Sequence, residues 1–112
     1  MTDAKLKELL NMLTIRTGES KLQWKRAGTE SKYGVAFNKG RITVDCWVNK
    51  GRKYVNFSVY NQDGYKIEEF KFNDQAEFDW FDLVYKLHQA IEKKYLESTS
   101  TVVRILDELK ST

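Results

Sequence analysis

Few residues in this chain could carry out a reaction. It has one cysteine, Cys46, and one histidine, His88, so a thiol nucleophile activated by an imidazole is the only pairing of that kind it can form. Cys46 falls in an alternating run between Val44 and Val48, and His88 falls on the apolar stripe of a helical segment. A thiol among apolar neighbours is inert, and a histidine on a core-facing stripe is ordinarily a packed residue with one nitrogen satisfied. Both read as packing residues, and no catalytic residue is expected. An enzyme built on this pair would need Cys46 accessible and its thiol pKa low.

Metal chemistry is equally short of ligands. Structural zinc takes four thiolate or imidazole ligands and catalytic zinc about three protein ligands, and the inventory of one Cys and one His does not supply them. Glu77, Asp79 and Asp82 could surround a magnesium ion, but they fall at the start of a helical segment, where acids favourably oppose the helix dipole. Glu68-Glu69 and Asp107-Glu108 read as solvated faces. The glycines are spread between strand segments rather than gathered in a phosphate-binding loop. Neither a metal nor a cofactor is expected.

The elements that position these residues follow from periodicity. Leu6, Leu9, Leu10 and Leu13 lie on one helical stripe, which predicts a helix from about Asp3 to Arg16, capped by Asp3 and ended by a left-handed Gly18. Its leucines need a surface, expected to be a sheet. From Lys21 to Phe72 the period becomes alternating, broken at Ala27-Gly28-Thr29-Glu30, Asn38-Lys39-Gly40, Asn49-Lys50-Gly51 and Asn61-Gln62-Asp63-Gly64. Loops this short force neighbouring strands to run antiparallel, so five strands in a meander are predicted.

Alternation also assigns faces. Ile42, Val44, Cys46 and Val48 share one side with Val55, Phe57, Val59, Val35 and Phe37, and Leu22 and Trp24 supply the first strand's share. Ile67 and Phe70 are out of phase, so a bulge near Glu68-Glu69 is expected to turn Phe70 and Phe72 inward. Asp74 with Glu77 has capping-box spacing, predicting a second helix whose stripe is Phe81, Val84, His88, Ile91 and Tyr95, widened by Trp80, Leu83 and Leu87. Ser98-Thr99-Ser100-Thr101 interrupts it. Val102, Val103, Ile105, Leu106 and Leu109 then form a last amphipathic helix, able to pack on the domain or to face another molecule.

Charge is distributed unevenly over these elements. Residues 20–72 hold eleven Lys or Arg against five acids, whereas residues 73–112 hold five against eight. The sheet is basic and the C-terminal helices are acidic, which is an argument about partners. The outward side of the sheet carries Trp47, Tyr54 and Tyr60 among Lys21, Lys25, Arg41, Lys66 and Lys71. The candidate binding residues are accordingly Trp47, Tyr54, Tyr60, Arg41, Lys25 and Lys71. Aromatics and arginine are the types enriched where proteins meet, so the first reading is a protein partner, or a homodimer, engaged through this face or the last helix. The alternative is single-stranded nucleic acid, its bases stacked on the rings and its phosphates on the cations. A curved antiparallel sheet backed by a helix is similar in shape to whirly-type and Pur-type nucleic-acid-binding domains, none of whose motifs occurs here; that similarity implies a sheet face used for nucleic acid. Against both stands a plainer use of the same residues, since cross-strand aromatic pairs and edge lysines also stabilise a solvated sheet.

The expected fold class is α+β: an N-terminal helix, a five-stranded antiparallel meander sheet and two C-terminal helices packed on one sheet face, as one domain over residues 1–112. The chain is 41% apolar and 31% charged, with no proline and no apolar run near the roughly 20 residues of a membrane span. An odd, single cysteine makes no internal disulfide, and the N-terminus lacks a signal peptide's apolar core. A cytoplasmic, non-membrane binding protein is the expectation.

Overall fold

The computed structural model describes residues 1–112. Helix α1 spans Asp3–Gly18, strands β1 to β5 span Lys25–Ala27, Thr29–Phe37, Gly40–Asn49, Arg52–Asn61 and Lys66–Asn73, and helices α2 and α3 span Phe78–Thr99 and Thr101–Lys110. The strands form one antiparallel sheet in the order β1-β2-β3-β4-β5, the expected meander. The α+β arrangement of one helix, five strands and two helices is as the periodicity predicts, with α2 supplying the contact with the sheet. No helix is long and apolar enough to cross a membrane.

The core forms where the predicted faces meet. Val44, Val55 and Phe57 from the sheet and Val84, Leu87 and Ile91 from α2 are all fully buried in one apolar cluster, joined by Leu6, Leu10 and Leu13 of α1. The leucines of α1 lie chiefly against α2 rather than directly on the sheet. Phe70 and Phe72 point inward as expected, paired with Phe57 and Val55. The bulge that brings them into phase is Ile67, which falls between Lys66 opposite Tyr60 and Glu68 opposite Val59, slightly earlier than Glu68-Glu69. Glu68 then lies on the helical side, where its carboxylate accepts from the Met1 ammonium at 2.9 Å. Val48 and Phe37 keep the predicted parity but sit at strand ends beyond the helices, and both are exposed.

The helix ends differ from expectation. The side chain of Thr2, not Asp3, caps α1 by accepting from the Lys5 amide. Gly18 remains helical, and Ser20 takes the left-handed conformation at φ 58°. The Ser20 and Lys21 amides donate to the Thr17 and Arg16 carbonyls at 3.0 and 2.9 Å, the paired 5→2 and 6→1 bonds of a Schellman ending. Asp74 and Glu77 form no capping box. Instead the Asn73 side chain accepts from the Gln75 and Ala76 amides, which holds the chain in a turn, and α2 starts only at Phe78. Asn73 competes successfully because it already sits at the strand end with its carbonyl oxygen free to fold back on the next amides.

At the other end of α2 a single residue interrupts the helix. Ser100, at φ −63° and ψ 131°, is extended, and α3 resumes at once. No residue of α3 is buried. The Cα radius of gyration is 15.3 Å, and the long dimension is 51 Å. About 13 Å is usual for a compact domain of roughly 100 residues. A helix that neighbours α2 and otherwise stands in solvent accounts for the excess.

Candidate binding surfaces

The pairing register lays out the outer face of the sheet as four rows. Arg41 is opposite Tyr60, Thr43 opposite Ser58, Asp45 opposite Asn56, and Trp47 opposite Tyr54. From β5, Lys66, Glu69, Lys71 and Asn73 extend these rows in the same order, and from β2 Ala36 and Gly34 extend the first two. The parity on which the predicted surface depends is therefore present: the aromatic rings face away from α2 while Val44 and Val55 face it.

The three rings do not form one platform. Trp47 and Tyr54 stack on each other, centroids 5.7 Å apart and planes 12° apart, at one end of the face. Tyr60 lies six residues along β4 from Tyr54, about 20 Å away at 3.3 Å per residue. There the Arg41 guanidinium and the Lys66 ammonium each lie 5.8 Å from its ring centroid. Between the two ends the face is small and polar, with Thr43 and Ser58 buried on the outer side. Asp45 accepts from the Ser31 hydroxyl at 2.7 Å and from the Cys46 amide at 2.8 Å.

Charge on the face is divided in a way the linear pattern conceals. On β5, Glu69 meets Lys66 at 2.6 Å and Lys71 at 3.8 Å, so the basic residues of that edge are largely satisfied within the protein. The hydrogen bond from Lys66 holds the Glu69 carboxyl below its ordinary range, against a smaller opposing effect of desolvation, and the same bond raises the Lys66 ammonium. Toward the opposite edge, Lys25 of β1 and Arg41 of the central strand β3 form no ion pair. Of the six candidate residues, Trp47 and Tyr54 come together, Arg41 joins Tyr60, Lys71 is tied to Glu69, and Lys25 stands at the β1 edge opposite Gly34. Sequence reasoning did not foresee Gly34. A Cβ there would come within 2.9 Å of the Arg41 side chain, so the absence of a side chain is what lets that guanidinium lie across β2. The visible signal was a glycine inside a strand, which marks a close approach.

The pair with nucleophilic potential is not assembled as one. His88 is buried, and its Nε2 meets the Ser31 carbonyl at 2.6 Å, a geometry in which the ring nitrogen donates. Its Nδ1 and the hydroxyl of the neighbouring buried Tyr33 have no partner. Cys46 is half-buried, and burial first, then the charge of Asp45, pushes its thiol pKa up. That favours the thiol over the reactive thiolate. No three His, Cys, Asp or Glu side chains are grouped as metal ligands.

The most exposed apolar surface lies away from the sheet. Val102, Ile105, Leu106 and Leu109 repeat at three- and four-residue intervals along α3, and between 47 and 66% of each is exposed. Comparison of the chain with protein-family models, with curated proteins and with solved structures finds no match in any of the three.

Proposed function

We propose that this chain is a small non-catalytic binding protein that engages a protein partner through α3. The observation that carries this reading is the exposed apolar stripe of Val102, Ile105, Leu106 and Leu109 on a helix none of whose residues is fully buried. A ten-residue helix is marginal in water by itself, and it gains most from a partner that buries its apolar side. An amphipathic helix laid into an apolar groove is a common form of protein recognition. A lipid surface is less well matched, because Arg104 and Lys110 are balanced by Asp107 and Glu108, leaving no net charge to draw the helix to anionic headgroups. A cytoplasmic setting belongs to the same reading: a single free cysteine forms no internal disulfide.

The test is photo-cross-linking in cells from which the protein is drawn. A photoreactive residue at Ile105 should yield a discrete protein adduct, and the same residue at Asp107, on the opposite side of the helix, should yield little. An adduct of twice the 13.2 kDa chain mass identifies a second copy, and any other mass a different protein. Equal diffuse labelling from both positions would overturn the reading.

A further inference from the structure

We propose that the corner of the outer sheet face around Gly34 is a binding site for single-stranded nucleic acid, separate from α3 and independent of its role. A groove of about 500 Å³ runs along the β1 edge there, and no acidic residue lines it. β1 begins only at Lys25, opposite Gly34, so the outer part of β2 from Val35 to Phe37 has no strand beside it on that flank. The cations Lys21, Lys25 and Arg41 line this opening together with Ala36 and Phe37.

Two of these cations flank one glycine. Lys25 is directly across from Gly34 in the β1 ladder, and Arg41 reaches over the same glycine from β3. Neither is paired with a carboxylate, in contrast to Lys66 and Lys71 on the far edge. Two like charges on one face of the groove with no counterion raise the local potential and favour an anion there. Arg41 can present its planar fork to a phosphate, and Lys25 adds a point charge.

The rings select nucleic acid over other anions. Phe37 has the helix-side parity of Val35, but it lines the end of the groove at the open edge of β2, where its ring is 44% exposed. Tyr60 stands beyond Arg41 on the other side. A strand whose phosphates occupy the Lys25 and Arg41 position has a ring at either end on which a base can stack, the combination of cations and aromatic faces that single strands use. The Trp47 and Tyr54 pair, stacked on itself at the far end, is not part of this site.

The experiment is fluorescence anisotropy with a labelled single-stranded oligonucleotide of about a dozen nucleotides, a length suited to one small domain. The full chain should bind in about 50 mM salt and weaken steeply toward about 200 mM, with the logarithmic slope falling by about 0.7 for each cation removed. Arg41→Ala and Lys25→Ala should each weaken binding about tenfold, as expected for a lost hydrogen bond to a charged group. Lys71→Ala should change it less than about twofold, since that charge is shared with Glu69. Phe37→Ala should weaken it about fivefold or more by removing a stack. Gly34→Ala keeps every charge and needs only the flexible end of Arg41 to move, so it should preserve the thermal midpoint while lowering affinity. No binding at the lower salt overturns the proposal. So does an equal loss from Lys71→Ala and Arg41→Ala, which would mean diffuse attraction. Displacement by inorganic polyphosphate of equal charge, with no effect of Phe37→Ala, would identify a general anion site and overturn the nucleic-acid assignment.

Discussion

Helices α2 and α3 carry nearly the same apolar pattern and meet opposite surroundings. Phe81, Val84, Leu87, His88 and Ile91 of α2 are buried against the sheet and α1, while every apolar residue of α3 remains in contact with solvent. Only the extended Ser100 separates them. An apolar stripe says that a helix gains by being covered. What covers it depends on where the chain has been carried when the stripe begins, and α3 begins where the sheet has already been roofed by α2.

The largest effect should distinguish the two helices directly. Leu87→Ala, at a site with no exposure, should cost about 2–5 kcal/mol in urea unfolding, the transfer and cavity loss of a buried leucine. A polar version of the comparison comes next. Trp24 Nε1 donates at 2.9 Å to the Thr17 hydroxyl, which itself donates to the Leu13 carbonyl, and both side chains are buried. Thr17→Val should cost about 1–3 kcal/mol by leaving the indole donor without an acceptor, and Thr17→Ser should restore most of it.

The open polar contact should matter far less. Glu69→Gln removes a partner from Lys66 and should cost about 0.2–1 kcal/mol, the range of exposed pairs, with the difference shrinking in high salt. Because the folded carboxyl lies below its ordinary 4.5, its contribution is present above that value and disappears as pH falls through the lower folded value. Urea midpoints of the two proteins should therefore differ near neutral pH and converge in acid. Smallest of all, Ile105→Ala should change the stability of the isolated chain by less than about 0.5 kcal/mol. A loss as large as that of Leu87→Ala would mean that α3 is covered within the chain itself, and the contrast would fail.

Periodicity and loop chemistry determined much of this molecule without coordinates. Three of the four turn segments were legible because Gly28, Lys50, Gly51 and Gly64 sit at positive φ, where glycine and a few polar residues are at home. The inner face was legible because side chains alternate along a strand, so Val44, Val55 and Phe57 had to agree. Helix ends were read less well: Thr2 and Asp3 are both competent caps, as are Asn73 and Asp74, and the choice between neighbours depends on the geometry in which each enters the helix.

The candidate surface required the tertiary structure. Parity places Trp47, Tyr54, Tyr60, Arg41, Lys25 and Lys71 on one side of the sheet, but distance along and across the strands separates them into groups. That Glu69 meets Lys66 as well as Lys71, all three on β5, follows from the bulge at Ile67, which brings residues three apart onto one face. The space Gly34 leaves for Arg41, and the absence of any cover on α3, likewise exist only once separate segments are packed together. Local pattern depends on backbone geometry shared by all chains, so it can be read from order alone, whereas pairing of charges and coverage of apolar surface depend on distances that only the folded chain sets.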